Sequence, residues 1–246
     1  MIHRIQLAPI ILALGLISGS AYAALQGRDL NGSADSFEAY YDTDLDITWL
    51  ADANVNGAMT WAAANTWAAN LSLYDAVNNV TYNNWRLPTV NPVNGTSFNY
   101  NFSYNGSTDS GYNVSEQGTA YAGSTGSEMA HLFYNTLNNK SYCDPAFSTA
   151  SSCSGPQAGS GLTNTDPFTN LQGNYYWSGL EYALDTSNAW VFHFLYNGYQ
   201  NETDKNTALY ALAVSPGDVA AVPEAQTYAL MLAGLGLIGW RARRRG

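Results

Sequence analysis

Ser36-Phe37-Glu38-Ala39-Tyr40-Tyr41-Asp42-Thr43-Asp44-Leu45-Asp46-Ile47-Thr48-Trp49-Leu50 is the stretch from which the fold is read. Aromatic and β-branched residues flank an acidic middle, which predicts two short strands around a turn. Directly after it, Met59-Thr60-Trp61-Ala62-Ala63-Ala64-Asn65-Thr66-Trp67-Ala68-Ala69-Asn70-Leu71 changes period. Trp61, Ala64, Ala68 and Leu71 fall at helical spacing with Trp67 beside them, so an amphipathic helix is expected here. Trp85-Arg86-Leu87-Pro88-Thr89 follows as a short extended piece, because Pro88 disfavours helix at Leu87.

Working outward, residues 90–126 form an Asn/Ser/Gly/Tyr-rich loop too long to be a mere connector. Ser127 can cap a helix running from Glu128 to Leu137, with Met129, Leu132, Phe133 and Leu137 on one face. Tyr175 to Ser178, Asn188 to Tyr196 and Ala208 to Val214 read as closing strands. In the middle one, Trp190, Phe192 and Phe194 share a face, and Val191, His193 and Leu195 share the other. The order predicts an α+β fold: a small antiparallel sheet, two main helices and long loops.

The two ends read differently. His3 and Arg4, the apolar run Leu7 to Ile17 and the small-x-small site Ala21-Tyr22-Ala23 predict a signal peptide over residues 1–23, cleaved after Ala23. At the other end, Val222-Pro223-Glu224-Ala225 leads into an apolar run to Trp240, closed by Arg241, Arg243, Arg244 and Arg245. An apolar span with arginines at one end is a membrane stop whose arginines stay cytoplasmic. The 16 residues from Ala225 to Trp240 fall short of the roughly 20 a helix needs to cross comfortably, which suits temporary retention followed by removal.

The Pro-Glu pair, the Leu/Gly/Ala-rich span and the arginine cluster together resemble the PEP-CTERM sorting signal, over residues 222–246. Ala225 stands where that family's name-giving motif has a second proline. The resemblance implies an exosortase-type membrane protease as partner, with Pro223 and Glu224 as processing residues, in a Gram-negative bacterium that makes exopolysaccharide. The expected course is export, anchoring in the inner membrane through the C-terminal helix, then processing and transfer to the outer envelope surface or extracellular matrix. A plain anchor that is never cut is the alternative.

Charge excludes one class of partner. Between Ala23 and Pro223 lie 18 acidic residues and only four basic ones, Arg28, Arg86, Lys140 and Lys205, a net −14. Nucleic-acid phosphates need a basic footprint, so no nucleic-acid binding is expected. Cys143 and Cys153 are expected to form a disulfide, because an exported chain meets an oxidising compartment. A reactive or metal-binding pair is the rival reading, weakened by the ten-residue spacing and the lack of a nearby histidine.

Asp46-Ile47-Thr48-Trp49-Leu50, the Trp61/Trp67 helix, Trp85-Arg86-Leu87-Pro88-Thr89, the Glu128–Leu137 helix and Trp177-Ser178-Gly179-Leu180-Glu181-Tyr182 occur in that order. With Ser187-Asn188-Ala189-Trp190 and Ala213-Val214-Ser215-Pro216-Gly217-Asp218 they resemble the Lcl C-terminal-like domain of unknown function. The resemblance spans about Phe37 to Asp218 and implies an exported domain over residues 24–221. It also implies a C-type-lectin-like or formylglycine-enzyme-like fold, compact and with long loops on one side. It implies no reaction.

The candidate sites are few. Asp42, Asp44 and Asp46 are spaced like the start of an EF-hand loop, with Asp52 nearby. Ile47 stands where that loop requires glycine and no glutamate occupies its twelfth position, so a solvated turn is expected. Glu181, Asp185 and Asn188 surround a turn between two strands and are the best place to look for a ligand. They read as a polar hairpin turn, or as a calcium and sugar site of the kind lectin loops form. No cofactor is otherwise called for. His131 and His193 read as structural, the tryptophans as packing, and Tyr100, Tyr104, Tyr112 and Tyr121 as exposed rings suited to stacking on sugars. The leading expectation is a non-catalytic envelope or biofilm-matrix module binding exopolysaccharide. The alternatives are an enzyme of formylglycine-enzyme-like ancestry, which needs a reactive cysteine pair, and a purely structural surface protein.

Overall fold

The computed structural model describes residues 25–33, 36–195 and 198–219. Strand β1 (Leu25–Arg28) pairs antiparallel with β2 (Ala39–Asp42), and β2 with β3 (Ile47–Leu50), as the acidic turn between them predicts. Helix α1 (Trp61–Asn70) follows, then a hairpin of β4 (Leu73–Asp75) and β5 (Val80–Tyr82). The long polar stretch contains two short strands, β6 (Phe102–Ser103) and β7 (Ser110–Tyr112). Helix α2 (Glu128–His131) continues into a π-helical turn, Leu132–Thr136. The chain closes with β8 (Tyr175–Glu181), β9 (Asn188–His193), β10 (Tyr199–Asp204) and β11 (Val214–Pro216).

The expected single small sheet is two larger sheets beside the two-stranded β4–β5 hairpin. One has the order β1-β2-β3-β11 and the other β6-β7-β10-β9-β8, with β6 and β7 parallel and the other pairings antiparallel. Gly111 makes the parallel pair feasible: it sits at φ +121°, and a Cβ there would lie 1.9 Å from the Ser103 carbonyl oxygen. The strand expected over 208–214 survives only as β11, because Leu209 and Tyr210 make single bridges to Met59 and Tyr176 before the chain turns into the first sheet.

The second helix also departs from its pattern. Every residue from Glu128 to Tyr134 is buried, so this is a central helix and not an amphipathic one. Its ladder widens at the end, where Leu137 donates to the Leu132 carbonyl five residues back. Ser127 caps its start, accepting from the Ala130 N–H at 3.3 Å. Glu128 then reaches out: its carboxylate takes two bonds from Arg86, at 2.7 and 2.8 Å, and one from the Thr89 N–H at 2.7 Å. The Trp85–Thr89 segment is thereby clamped to the helix on one side while Arg86 exchanges two backbone bonds with Val214 on the other.

One core fills the space between the sheets. Trp49, Ile47 and Val214 face Tyr176, Phe192 and Phe194 across Met129, Leu132 and Phe133 of the central helix. A second cluster lies on the far face of the five-stranded sheet, where Ala64 and Ala68 of α1 cover Trp177, Ala189 and Val191. Trp49, Trp177 and Trp190 are almost wholly enclosed, and each contributes about 3 kcal/mol or more through burial. Trp61 and Trp67 are only half-buried, since α1 rides on the surface.

The described chain begins and ends on the same sheet. Arg28, at the end of β1, forms a two-point ion pair with Asp218, at 2.6 and 2.8 Å. Residue 218 therefore lies beside the first strand.

Candidate functional site

β-Strand alternation puts Phe192 and Phe194 in the core and turns His193 to the opposite face of the five-stranded sheet. The register then assembles a row. Tyr175 of β8 faces His193 of β9, His193 faces Tyr199 of β10, and Tyr199 faces Tyr112 of β7. Tyr104 and Phe102 extend it. Successive ring centroids are 4.0 Å apart for Tyr175–His193, 5.2 Å for His193–Tyr199, 5.2 Å for Tyr199–Tyr112 and 5.6 Å for Tyr112–Tyr104. The four tyrosines are half-buried and Phe102 is exposed. Helix α1 covers the same face at its other end, so the row is the part of that face which the helix leaves open.

The centre of the row, His193, Tyr199 and Tyr112, is uncharged at neutral pH. Burial pushes His193 down to about 4, which leaves its ring neutral. Burial likewise raises Tyr112 and Tyr199, and Tyr199 is raised further by its hydroxyl contact with Tyr175. Of the loop tyrosines expected to be exposed, Tyr104 and Tyr112 enter this row. Tyr100 packs against Phe98, Tyr182 and Trp190, and Tyr121 against the main core. All four are half-buried, because ring-on-ring packing satisfies them better than water does.

Glu181, Asp185 and Asn188 do lie on one hairpin, between β8 and β9. Their donors and acceptors are turned to the protein itself. Glu181 pairs with Lys205, whose ammonium also sits 4.4 Å above the Trp61 ring. Asp185 accepts from the Ser187 hydroxyl at 2.7 Å and backbone N–H at 3.0 Å, and these bonds hold its carboxyl below the usual range. The Asn188 N–H closes the turn on the Asp185 carbonyl at 2.9 Å.

In the acidic turn of the first hairpin Thr43, Asp44 and Asp46 are exposed, whereas Asp42, which ends β2, is not. Asp42 is fully buried, accepting from the Trp49 indole at 3.3 Å and the Thr136 hydroxyl at 3.1 Å. Asp46 instead accepts from Tyr41, and Asp52 from Asn54 and Asn170, so the four carboxylates diverge. Among the described residues no group of three or more His, Cys, Asp or Glu side chains converges in a way that could hold a metal ion. Cys143 and Cys153 are bonded to each other. Ala23, Pro223 and Glu224 lie outside the described residues, as does the expected C-terminal helix; among those described, no helix is long and apolar enough to cross a membrane.

The largest chemical anomaly is one that sequence reasoning passes over. A cleft of about 660 Å³ opens between the end of the long loop, the π turn and the disulfide loop, and Glu116, Asn138, Lys140, Asp144 and Gln157 line it. Glu116 is only 8% exposed, and its Oε2 is fully enclosed with no hydrogen-bond partner; the Gln157 side-chain nitrogen is in the same condition. Burial, reinforced by Asp144, pushes the Glu116 carboxyl up to about 8, against the opposing pull of the Ser141 N–H, Lys140 and the Gln157 amide, which lies close by without reaching hydrogen-bond geometry. The backbone around it is unusual too. Asn113 and Ser115 on the loop and Asn138 after the π turn hold left-handed conformations at φ 64°, 69° and 53°. Asn113 is pinned there by bonds from its amide to the Tyr104 and Cys143 carbonyls, at 2.6 and 2.8 Å.

Comparison with known proteins identifies one segment. Residues 221–245 match the model of the PEP-CTERM protein-sorting motif. That motif marks a protein that is exported, held in the membrane by its C-terminus and processed by an exosortase, a membrane protease, to become a surface or extracellular protein. No curated protein and no solved structure matches the chain.

Proposed function

We propose that this exosortase-sorted protein carries a non-catalytic binding module, of the Lcl C-terminal-like and C-type-lectin-like kind, whose ligand is exopolysaccharide at the envelope surface or in the biofilm matrix. The observation that supports this most is the aromatic row Tyr175–His193–Tyr199–Tyr112–Tyr104 on the open part of the five-stranded sheet. The weakly positive C–H faces of sugar rings lie well against the negative faces of aromatic rings. Tyr175 stacks on the enclosed His193 and Tyr112 on Tyr104, so the row offers a chain of sugars the partly exposed remainder of its four tyrosine rings. The sorting motif supports this reading by marking the protein for export and exosortase processing. Glu181, Asp185 and Asn188 remain a second contact in this reading, and calcium would have to draw Glu181 away from Lys205 to use them.

Electrophoresis of the mature protein through gels containing isolated exopolysaccharide tests the proposal. Retardation is expected, with Tyr112→Ala and Tyr199→Ala each weakening it about tenfold while leaving the folded near-UV signal intact. A protein that migrates unretarded both with and without calcium would overturn it.

A further inference from the structure

The Glu116 cleft shares no residue with the aromatic row. Burying an ionised carboxylate is costly unless a partner or a proton neutralises it. Glu116 forms no ion pair within 4 Å in the protein: its Oε2 makes no hydrogen bond of normal geometry, and of the two ionised groups that bear on it Asp144, of the same sign, outweighs Lys140. Four other groups bear on it. Tyr134 is wholly buried, with its hydroxyl bonded to the Gly198 carbonyl. The Ser141 N–H and the Gln157 amide are neutral. Lys140 is exposed at the rim, and among the described residues it is the one basic side chain with no carboxylate within 4 Å; Arg28, Arg86 and Lys205 are each paired. Its opposing pull on Glu116 is weaker than the effect of Asp144.

We propose that this cleft binds a ligand through a primary ammonium group, and that Glu116 releases its proton to solvent as the ammonium enters. Before binding, Glu116 is a neutral acid. In the complex it is a carboxylate accepting a charge-assisted N–H···O bond, so one N–H···O contact forms, one O–H bond breaks, and a single proton leaves. An anionic ligand would be opposed by both Asp144 and the −14 charge of the exported domain. A neutral polyol would bond Glu116 without displacing its proton. A cation exchanges for that proton, and a primary ammonium does so while also donating an N–H···O bond.

Calorimetry of the mature protein with 1,5-diaminopentane, in buffers of different protonation enthalpy, tests this. The diamine stays charged below about pH 10. Affinity is expected to rise about tenfold from pH 6 to pH 7 and to flatten above pH 8, with close to one proton released at pH 7. Glu116→Gln should abolish the release and cost at least tenfold in affinity at pH 8, with near-UV circular dichroism confirming the fold. Asp144→Asn should weaken binding a few-fold yet keep the proton release. Glucosamine oligomers against their N-acetylated counterparts separate the sources: binding of the amine form alone places the ammonium on a glycan, and binding of the diamine alone places it on a small polyamine. No binding of any amine, pentane-1,5-diol binding as well as the diamine, pH-independent affinity, or a Glu116→Gln variant that still releases a proton would each overturn the proposal.

Discussion

Residues 90–126 contain only two charged side chains, Asp109 and Glu116, and the fold buries both. They end up in opposite conditions. Asp109 accepts from the Val93 N–H at 2.7 Å and the Asn99 N–H at 2.6 Å, one on each carboxylate oxygen, while its carbonyl accepts from the Gln200 amide at 2.7 Å. Glu116, seven residues on, keeps one oxygen enclosed and unpartnered. A buried carboxylate bonded on both oxygens organises the chain around it. One bonded on a single side is held as an acid and remains available to something else. The polar loop thus has a structural half, which carries β6 and β7, and a chemically poised half, which walls the cleft.

The largest effect should come from the structural half. Asp109→Ala removes two charge-assisted bonds and orphans two backbone N–H groups, a loss of about 4 kcal/mol in urea denaturation. A loss below 1 kcal/mol would erase the distinction. Glu116→Gln should act in the opposite direction. The folded carboxyl holds its proton up to about pH 8, whereas the unfolded one releases it near 4.5. The folded state binds more protons across that window, so stability falls as pH rises through it. At pH 7 the cost is on the order of 3 kcal/mol, and it vanishes below about pH 4. Glu116→Gln is expected to be more stable than the parent at pH 7 and equal to it at pH 4. Parallel stability–pH curves for the two proteins would place that proton elsewhere.

The contrast between these acids also marks the limit of sequence reading. Periodicity located α1, whose Ala64 and Ala68 are enclosed where the helical spacing puts them, while aromatic and β-branched content located β2, β3 and β9, which are buried nearly throughout. It missed β6 and β10, whose Phe102-Ser103 and Tyr199–Asp204 are too short or too polar to alternate and are held by partners distant in the chain. The disulfide was legible, since its two cysteines are local. The aromatic row was legible only as single tyrosines, because its order depends on cross-strand register. Glu116 has no motif, and its condition arises from burial by chain distant in sequence, reinforced by Asp144 on a different loop. One signal was present: a lone glutamate among Asn, Ser and Gly, in a stretch otherwise almost free of charge, has few reasons to be there.

The disulfide gives the finest test, because it bears on one half of the loop and not the other. Cys143 passes its carbonyl to Asn113, and Asp144, Pro145 and Ala146 beyond it form a wall of the Glu116 cleft. Asp109 makes no contact with that loop among its hydrogen bonds to Val93, Asn99 and Gln200. Replacing both cysteines by serine opens an 11-residue loop and should cost about 2.8 kcal/mol in the chain-entropy account. The more telling readout is local. With the 143–153 segment loosened, water reaches Glu116, its burial weakens and its proton is released at lower pH, so the fall in stability between pH 4.5 and 8 becomes shallower. Amide exchange at Val93 and Asn99, held by Asp109, should stay slow while exchange at Ser141 accelerates. If the two halves instead loosen together, the loop is one cooperative unit and Glu116 is poised by the whole domain, not by the disulfide-closed wall beside it.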